Sequence, residues 1–188
     1  MNLNTKTKYI NAIITHQNID KIFIKDLEKY LSNNSVVYSF ILHDKDVDDL
    51  GEKKTKHVHI VYEKSERLRL STELNNLCKH LSIKAQLISI EKCTNYVGSM
   101  QYLIHKNNAS KYQYDANEII TNMDLDELSN TLNMVNQVIS FEYLIEVITY
   151  CNSIVEVIQV LGLNNYRFYR TIIIDIMKGL QKQIIGIN

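Results

Sequence analysis

No stretch of the 188 residues stays apolar long enough to span a bilayer, and the opening MNLNTKTKYINAII has neither a long apolar core nor a small-residue cleavage site. This predicts a soluble protein of the cytoplasm with no membrane partner. Cysteine is scarce: Cys78, Cys93 and Cys151 are odd in number, scattered and without CxxC spacing. Neither a disulfide framework nor a thiolate metal site is indicated, and a reducing compartment fits. A surplus of charge is missing too, since Lys plus Arg equals Asp plus Glu at 21 each. Whole-chain charge therefore names no partner.

The two halves differ, however. Residues 1–122 carry 17 basic and 14 acidic side chains, net +3, which leaves 4 and 7, net −3, for residues 123–188. The first part is the one suited to meet phosphate. An apolar fraction of 45% is enough for packed cores, and the length allows one domain of usual size plus a small second one.

Short Ile/Val/Tyr-rich runs at Lys8–Thr15, Val36–His43, His57–Tyr62 and Ala85–Ile90 predict four strands. Between them, Asp20–Leu31 carries Ile24, Leu27, Tyr30 and Leu31 at helical spacing, and Ser71–Leu81 carries Leu74, Leu77, Cys78 and Leu81 on one stripe. The resulting β-α-β-β-α-β order predicts an α+β, ferredoxin-like (split βαβ) domain with an antiparallel central sheet in which the second and third strands are neighbours. A further helix, capped by Thr94 or Asn95, is predicted to run to about His105, followed by irregular surface chain over Lys106–Asn117. A domain boundary is expected near Asn122.

Beyond it the period is helical throughout. Four stripes follow: Leu125, Leu128, Leu132, Val135; Phe141, Leu144, Ile145, Ile148; Ile154, Val157, Ile158, Leu161; and Phe168, Ile172, Ile173, Ile176. Asp124 with Glu127 and Ser153 with Glu156 have capping-box spacing, and Gly162 suits a helix end. Residues 123–188 are thus expected to form a small all-α domain, with one helical face available for a homo-oligomer. Tyr166, Arg167, Tyr169 and Arg170 are a further, surface candidate for DNA contact.

In Lys56-His57-Val58-His59-Ile60-Val61-Tyr62, strand alternation sends His57, His59 and Val61 to one face and Val58, Ile60 and Tyr62 to the other. If the second strand pairs antiparallel with the third across the loop Asp44–Thr55, its last residue, His43, lies beside the start of the third. His43 and a carboxylate, Asp44 or Asp46, then meet His57 and His59. Imidazole and carboxylate lone pairs converging from two strand ends make a divalent-metal site. Lys53, Lys54 and Lys56, next to it, and Lys106 are candidates for DNA phosphate contact. On the last helix of the first domain, Tyr96, Val97, Met100, Leu103 and Ile104 form an apolar stripe, whereas Tyr102 points away from it, toward Lys106. Its phenol is one candidate nucleophile, which a nearby cation or metal would activate by favouring the phenolate. Tyr96 is the alternative.

The ordered set Phe40-Ile41-Leu42-His43-Asp44-Lys45-Asp46, then His57-Val58-His59, then Met100-Gln101-Tyr102-Leu103-Ile104-His105 resembles the rolling-circle replication initiators of small plasmids from Gram-positive bacteria, members of the HUH endonucleases. The resemblance covers roughly residues 8–122. It implies metal ligation by His43, Asp46, His57 and His59 with Mn²⁺ or Mg²⁺, and a nucleophile at Tyr102; His105 matches a histidine one turn after the nucleophile. It also implies nicking of one strand at a plasmid origin, single-stranded at the nick and duplex beside it. The products are a 5′-phosphotyrosyl link and a 3′-OH for host replication proteins to extend. Two other readings stand beside it: a mobilisation relaxase with the same chemistry, and a non-catalytic ferredoxin-like module that binds nucleic acid through aromatic side chains on its sheet.

Overall fold

A computed structural model describes residues 2–48, 50–134, 141–151, 153–161, 169–170 and 172–178, the side chains of 141–143 aside. Strand β1 (Lys6–Thr15) leads into helix α1 (Lys21–Asn34), β2 (Val37–His43), β3 (His57–Arg69), α2 (Leu70–Leu81), β4 (Ile88–Lys92) and α3 (Tyr96–Leu103). After these come a two-residue strand β5 (Ile120–Thr121) and helices α4 (Leu125–Asn133), α5 (Phe141–Tyr150) and α6 (Ile154–Leu161). The sheet order is β4-β1-β3-β2-β5 with every pair antiparallel, so β3 is inserted between β1 and β2. This is the split βαβ arrangement expected from the order of elements.

Period-two alternation gives the sheet two apolar faces. Val58, Ile60 and Tyr62 of β3 join Ile10, Ala12 and Ile14 of β1 and pack under Leu27 and Leu31 of α1 and Leu74 and Leu77 of α2. On the other face Ile41 and Val61 pack with Met100 and Leu103 of α3 and with Leu128 and Leu132 of α4. Each such fully buried aliphatic side chain contributes about 1.5–3 kcal/mol.

Local signals explain the helix starts. The Asp20 carboxylate accepts the Phe23 amide at 2.8 Å, and Asn95 Oδ1 accepts the Gly98 amide at 2.9 Å. A Cβ at Gly98 would lie 2.5 Å from Asn95 Nδ2, so a larger residue there would push the capping side chain aside.

Three expectations shift. Strand β4 starts later than predicted because Ala85–Leu87 close into a 3₁₀ turn, the Leu87 amide bonding the Lys84 carbonyl at 3.0 Å. Strand β3 runs on to Arg69, since its polar second half keeps pairing with the beginning of β1, where the register slips between Thr7 and Tyr9. The irregular segment after α3 ends in β5, too short to carry a period.

The chain divides into compact units Met1–Leu132 and Asn133–Asn188. Asn122, where a boundary was expected, lies inside the first. Its Oδ1 accepts the Tyr38 amide at 2.8 Å and its Nδ2 bonds the Val36 carbonyl at 3.0 Å, which ties this segment to β2. In the second unit Leu144, Val147 and Ile148 of α5 pack with Val157 and Leu161 of α6 and with Ile173. Asp124 and Ser153 cap α4 and α6 by accepting the amides of Glu127 and Glu156. Residues 172–178 are helical, as the fourth stripe predicted, whereas Val135, Gly162, Tyr166, Arg167 and Phe168 lie outside the described residues. Among the described residues no helix is long and apolar enough to cross a membrane.

Candidate metal centre and nucleophile

His43, the last residue of β2, pairs directly with His57, the first of β3. The chain between them folds back on itself: Val47 bridges to Lys53, and the Lys54 amide bonds the Asp46 carbonyl at 2.9 Å. Gly51 turns the tip with φ +82°. This return brings Asp46 under the imidazoles. Its Oδ2 lies 3.5 Å from His43 Nδ1 and 3.6 Å from His57 Nε2, while Oδ1 lies 3.7 Å from His105 Nδ1. The His43 ring centroid is 4.6 Å from that of His59, and the His57 and His59 centroids are 5.0 Å apart. One ligand atom each from His43, His57 and His59 lies within 4.8 Å of the others, and the same holds for His43, Asp46 and His105.

The proton on each ring is assigned by its partner, because a carbonyl can only accept. His43 Nε2 donates to the Leu103 carbonyl at 2.7 Å, which leaves Nδ1 as a lone pair facing Asp46. His57 Nδ1 donates to the Thr55 carbonyl at 2.9 Å, leaving Nε2 as the lone pair. Such carbonyl partners are what orients metal-binding imidazoles. His43 Nδ1 is moreover buried and makes no hydrogen bond with a protein atom. Two lone pairs and a carboxylate therefore face one another without a proton between them, an arrangement that fits a divalent cation. His105 differs: its nitrogen nearest Asp46, Nδ1, donates to the Tyr112 carbonyl at 2.8 Å. That bond leaves Nε2, which is buried and makes no hydrogen bond with a protein atom, as the lone pair of His105.

Burial holds His43, His59 and His105 neutral. It lowers His43 from 6.5 to about 4, offset in part by the Leu103 carbonyl, and lowers His59 to about 2, where the other histidines add repulsion. His105 is lowered as well, again mainly by burial. Neutral imidazole is the form that ligates.

Tyr102 lies on the outer side of α3, 40% exposed, with its ring in edge contact with His59 and His105 at 5.2 Å between centroids. Tyr96 is half-buried against the second core, its hydroxyl on Met123 Sδ, and is a packing residue. An open groove of about 580 Å³ runs from His59 and Tyr102 between α3 and β1, lined also by Asn11, Ser89 and Ser99.

The other predicted positions divide. Asp46, rather than Asp44, is the carboxylate that faces the rings. Lys53, Lys54 and Lys56 are exposed on the loop that carries Asp46. Lys106 is turned away: its Nζ donates to the Leu132 carbonyl at 2.7 Å. The cause is at the end of α3, where His105 takes the left-handed conformation, φ +56°, and the amides of His105 and Lys106 bond the carbonyls of Tyr102 and Gln101. This Schellman closure stops the helix before the wheel reaches Lys106.

Sequence reasoning passed over two residues in the irregular segment. The Tyr114 hydroxyl donates to Asp46 Oδ1 at 3.2 Å and accepts the Lys45 amide at 3.0 Å, while its ring stacks on His43 at 4.4 Å. Burial raises this phenol to about 12, so it stays protonated as a donor to Asp46. Lys111 reaches Tyr102. Neither position has a periodic signal that would single it out.

Comparison with known proteins gives one family: residues 4–126 match the family described as plasmid replication protein, origin binding domain. The chain is similar to the replication protein RepB of Lactiplantibacillus plantarum, 34% identical over 80 residues, which cover 43% of this chain and 34% of that protein. It is also similar to a replication protein of Onion yellows phytoplasma (strain OY-M), 27% identical over 124 residues, 60% of this chain and 30% of that one. The matched stretches thus span about a third of each relative.

Proposed function

The chain belongs to the plasmid replication protein family, carrying its origin-binding domain, and on that premise we propose that it is the initiator that nicks one strand at a plasmid's double-strand origin. The observation that carries this reading is the exposed phenol of Tyr102 in edge contact with the His43, Asp46, His57 and His59 cluster. A divalent ion in that cluster, Mn²⁺ or Mg²⁺ by resemblance, would supply Lewis-acid polarisation of the scissile phosphate. His43 and His57 offer their lone pairs, Asp46 neutralises charge, and Tyr114 and the carbonyls of Leu103 and Thr55 hold these groups in orientation. Tyr102 attacks phosphorus to give a 5′-phosphotyrosyl link and a free 3′-OH for host polymerase. The reverse transfer closes the displaced strand. Lys53, Lys54 and Lys56 meet flanking phosphates, and the helices after Asn133 serve a homo-oligomer, which sedimentation at micromolar concentration would test.

The test is a labelled single-stranded origin oligonucleotide with Mn²⁺. The unaltered chain should yield a covalent adduct and Tyr102→Phe none; adducts at normal yield in the variant contradict the assignment. DNA binding that is insensitive to metal, with no cleavage at all, would point instead to a non-catalytic module.

A further inference from the structure

We propose that Lys111 is a catalytic residue of the strand-transfer reaction, the cation that carries charge for the Tyr102 oxygen; this rests on the nickase reading above. Lys111 Nζ lies 2.5 Å from Tyr102 Oη and 4.6 Å from the centroid of the same ring. An ammonium has donors only, so Oη is the acceptor in this contact. In the forward step the phenolic proton leaves to water, the Oη–P bond forms as the P–O3′ bond breaks, and the departing O3′ takes a proton from water. Negative charge appears on Oη as its proton leaves, is spent as the Oη–P bond forms, and returns to Oη when it leaves in the reverse transfer, each time at an atom already bonded to an ammonium. A donor placed in advance of the charge it meets is the largest common source of transition-state stabilisation.

Two observations make Lys111 the cation of this site. Lys106, the lysine that a helical wheel puts beside Tyr102, is committed to the Leu132 carbonyl. Lys111, in contrast, sits on a braced loop: its amide bonds the Asn108 carbonyl at 3.1 Å, and Gln113 Nε2 bonds the carbonyls of Asn108 and Lys111 at 2.8 and 2.9 Å. His105 ties this loop to the end of α3 through its bond to the Tyr112 carbonyl at 2.8 Å. A non-glycine residue at φ +56° is held there against a cost on the order of 1 kcal/mol, and what the side chain gains is this bond. His105 is accordingly a positioning residue for Lys111, which accounts for a histidine one turn after the nucleophile.

Such an exposed contact adds little to stability, so Lys111 can be replaced in a folded protein. The experiment measures, on the full chain with Mn²⁺ and the single-stranded origin oligonucleotide, both the rate of adduct formation and oligonucleotide affinity by anisotropy. Lys111→Ala should slow adduct formation on the order of a hundredfold with affinity unchanged, Lys111→Arg should recover much of the rate, and added methylammonium should partly rescue Lys111→Ala. A Lys111→Ala rate equal to that of the unaltered chain overturns the proposal while leaving the nickase reading intact. Loss of rate matched by loss of affinity, without rescue, also overturns it, by making Lys111 a phosphate contact. No adduct from the unaltered chain overturns the nickase reading and this inference with it.

Discussion

Strand β3 faces a buried carboxylate on each side of the sheet, and the two are held in opposite ways. Beneath α2, Glu73 Oε1 accepts from the Tyr30 hydroxyl at 3.0 Å, the Tyr62 hydroxyl at 2.9 Å and Lys64 Nζ at 3.2 Å. Burial and the Glu73 charge raise both phenols far above their usual range, so they stay protonated. All three donors converge on Oε1, while Oε2 is buried without a hydrogen bond to a protein atom. Asp46, on the other face, receives one hydroxyl, from Tyr114, lies 3.7 Å from His105 Nδ1, and faces the lone pairs of His43 and His57. A carboxylate among bases attracts a cation from outside; a carboxylate among donors does not. The same fold thus uses one buried acid as internal structure and places the other in a group that could hold a metal ion.

Breaking Glu73 should have the largest effect on folding. Glu73→Ala removes the common acceptor of three buried donors and should cost about 3–5 kcal/mol in urea unfolding, with adduct formation per folded molecule unchanged. Asp46→Asn should do the reverse, leaving metal-free stability nearly intact while abolishing activity. Equal destabilisation by both would end the contrast.

The metal itself gives the next effect. Mn²⁺ at about a hundredfold over its dissociation constant should stabilise the unaltered chain by about 2.7 kcal/mol, read as a rise in melting temperature that EDTA reverses and that Asp46→Asn lacks. Tyr114→Phe removes only a supporting donor and should weaken Mn²⁺ binding about tenfold, measured by calorimetric titration.

A separate effect is on pH dependence. Burial lowers His43 from 6.5 to about 4, so below 6.5 the unfolded chain takes up a proton that the folded chain refuses. Metal-free stability is therefore complete above about pH 6.5 and declines as pH falls toward 4, and His59 extends the decline to lower pH. Urea unfolding between those limits should show this slope, and His43→Asn should make it shallower, with His59 and His105 retaining the rest. A flat profile in the unaltered chain would mean that the histidines are hydrated.

How far these residues were visible in the sequence depends on what positions them. Strand alternation is enough to place His57 and His59 on one face, and antiparallel adjacency brings His43 to them, because a pleat and a register leave no other choice. The order of elements implies the sheet for the same reason. Lys106 shows where periodicity fails: the wheel extends α3 past Leu103, whereas a left-handed His105 ends it. Tyr114 and Lys111 come from a stretch held by individual side-chain bonds, such as His105 to Tyr112 and Gln113 to Asn108, which follow no period. Their roles emerge only once distances are known. The end of the first compact unit was displaced likewise, since Leu128 and Leu132 fit a helical stripe but the sheet face they cover is not written in that stripe.

The central claim is that the tyrosine beside the Asp46 cluster is the nucleophile. Incubation of the full chain with labelled single-stranded origin DNA and Mn²⁺, followed by proteolysis and mass mapping of the DNA-linked peptide, tests it directly. The account predicts a single metal-dependent peptide carrying a 5′-phosphate ester on Tyr102. A DNA-linked peptide centred on Tyr96 or another tyrosine, or cleavage without a protein–DNA link, would contradict it.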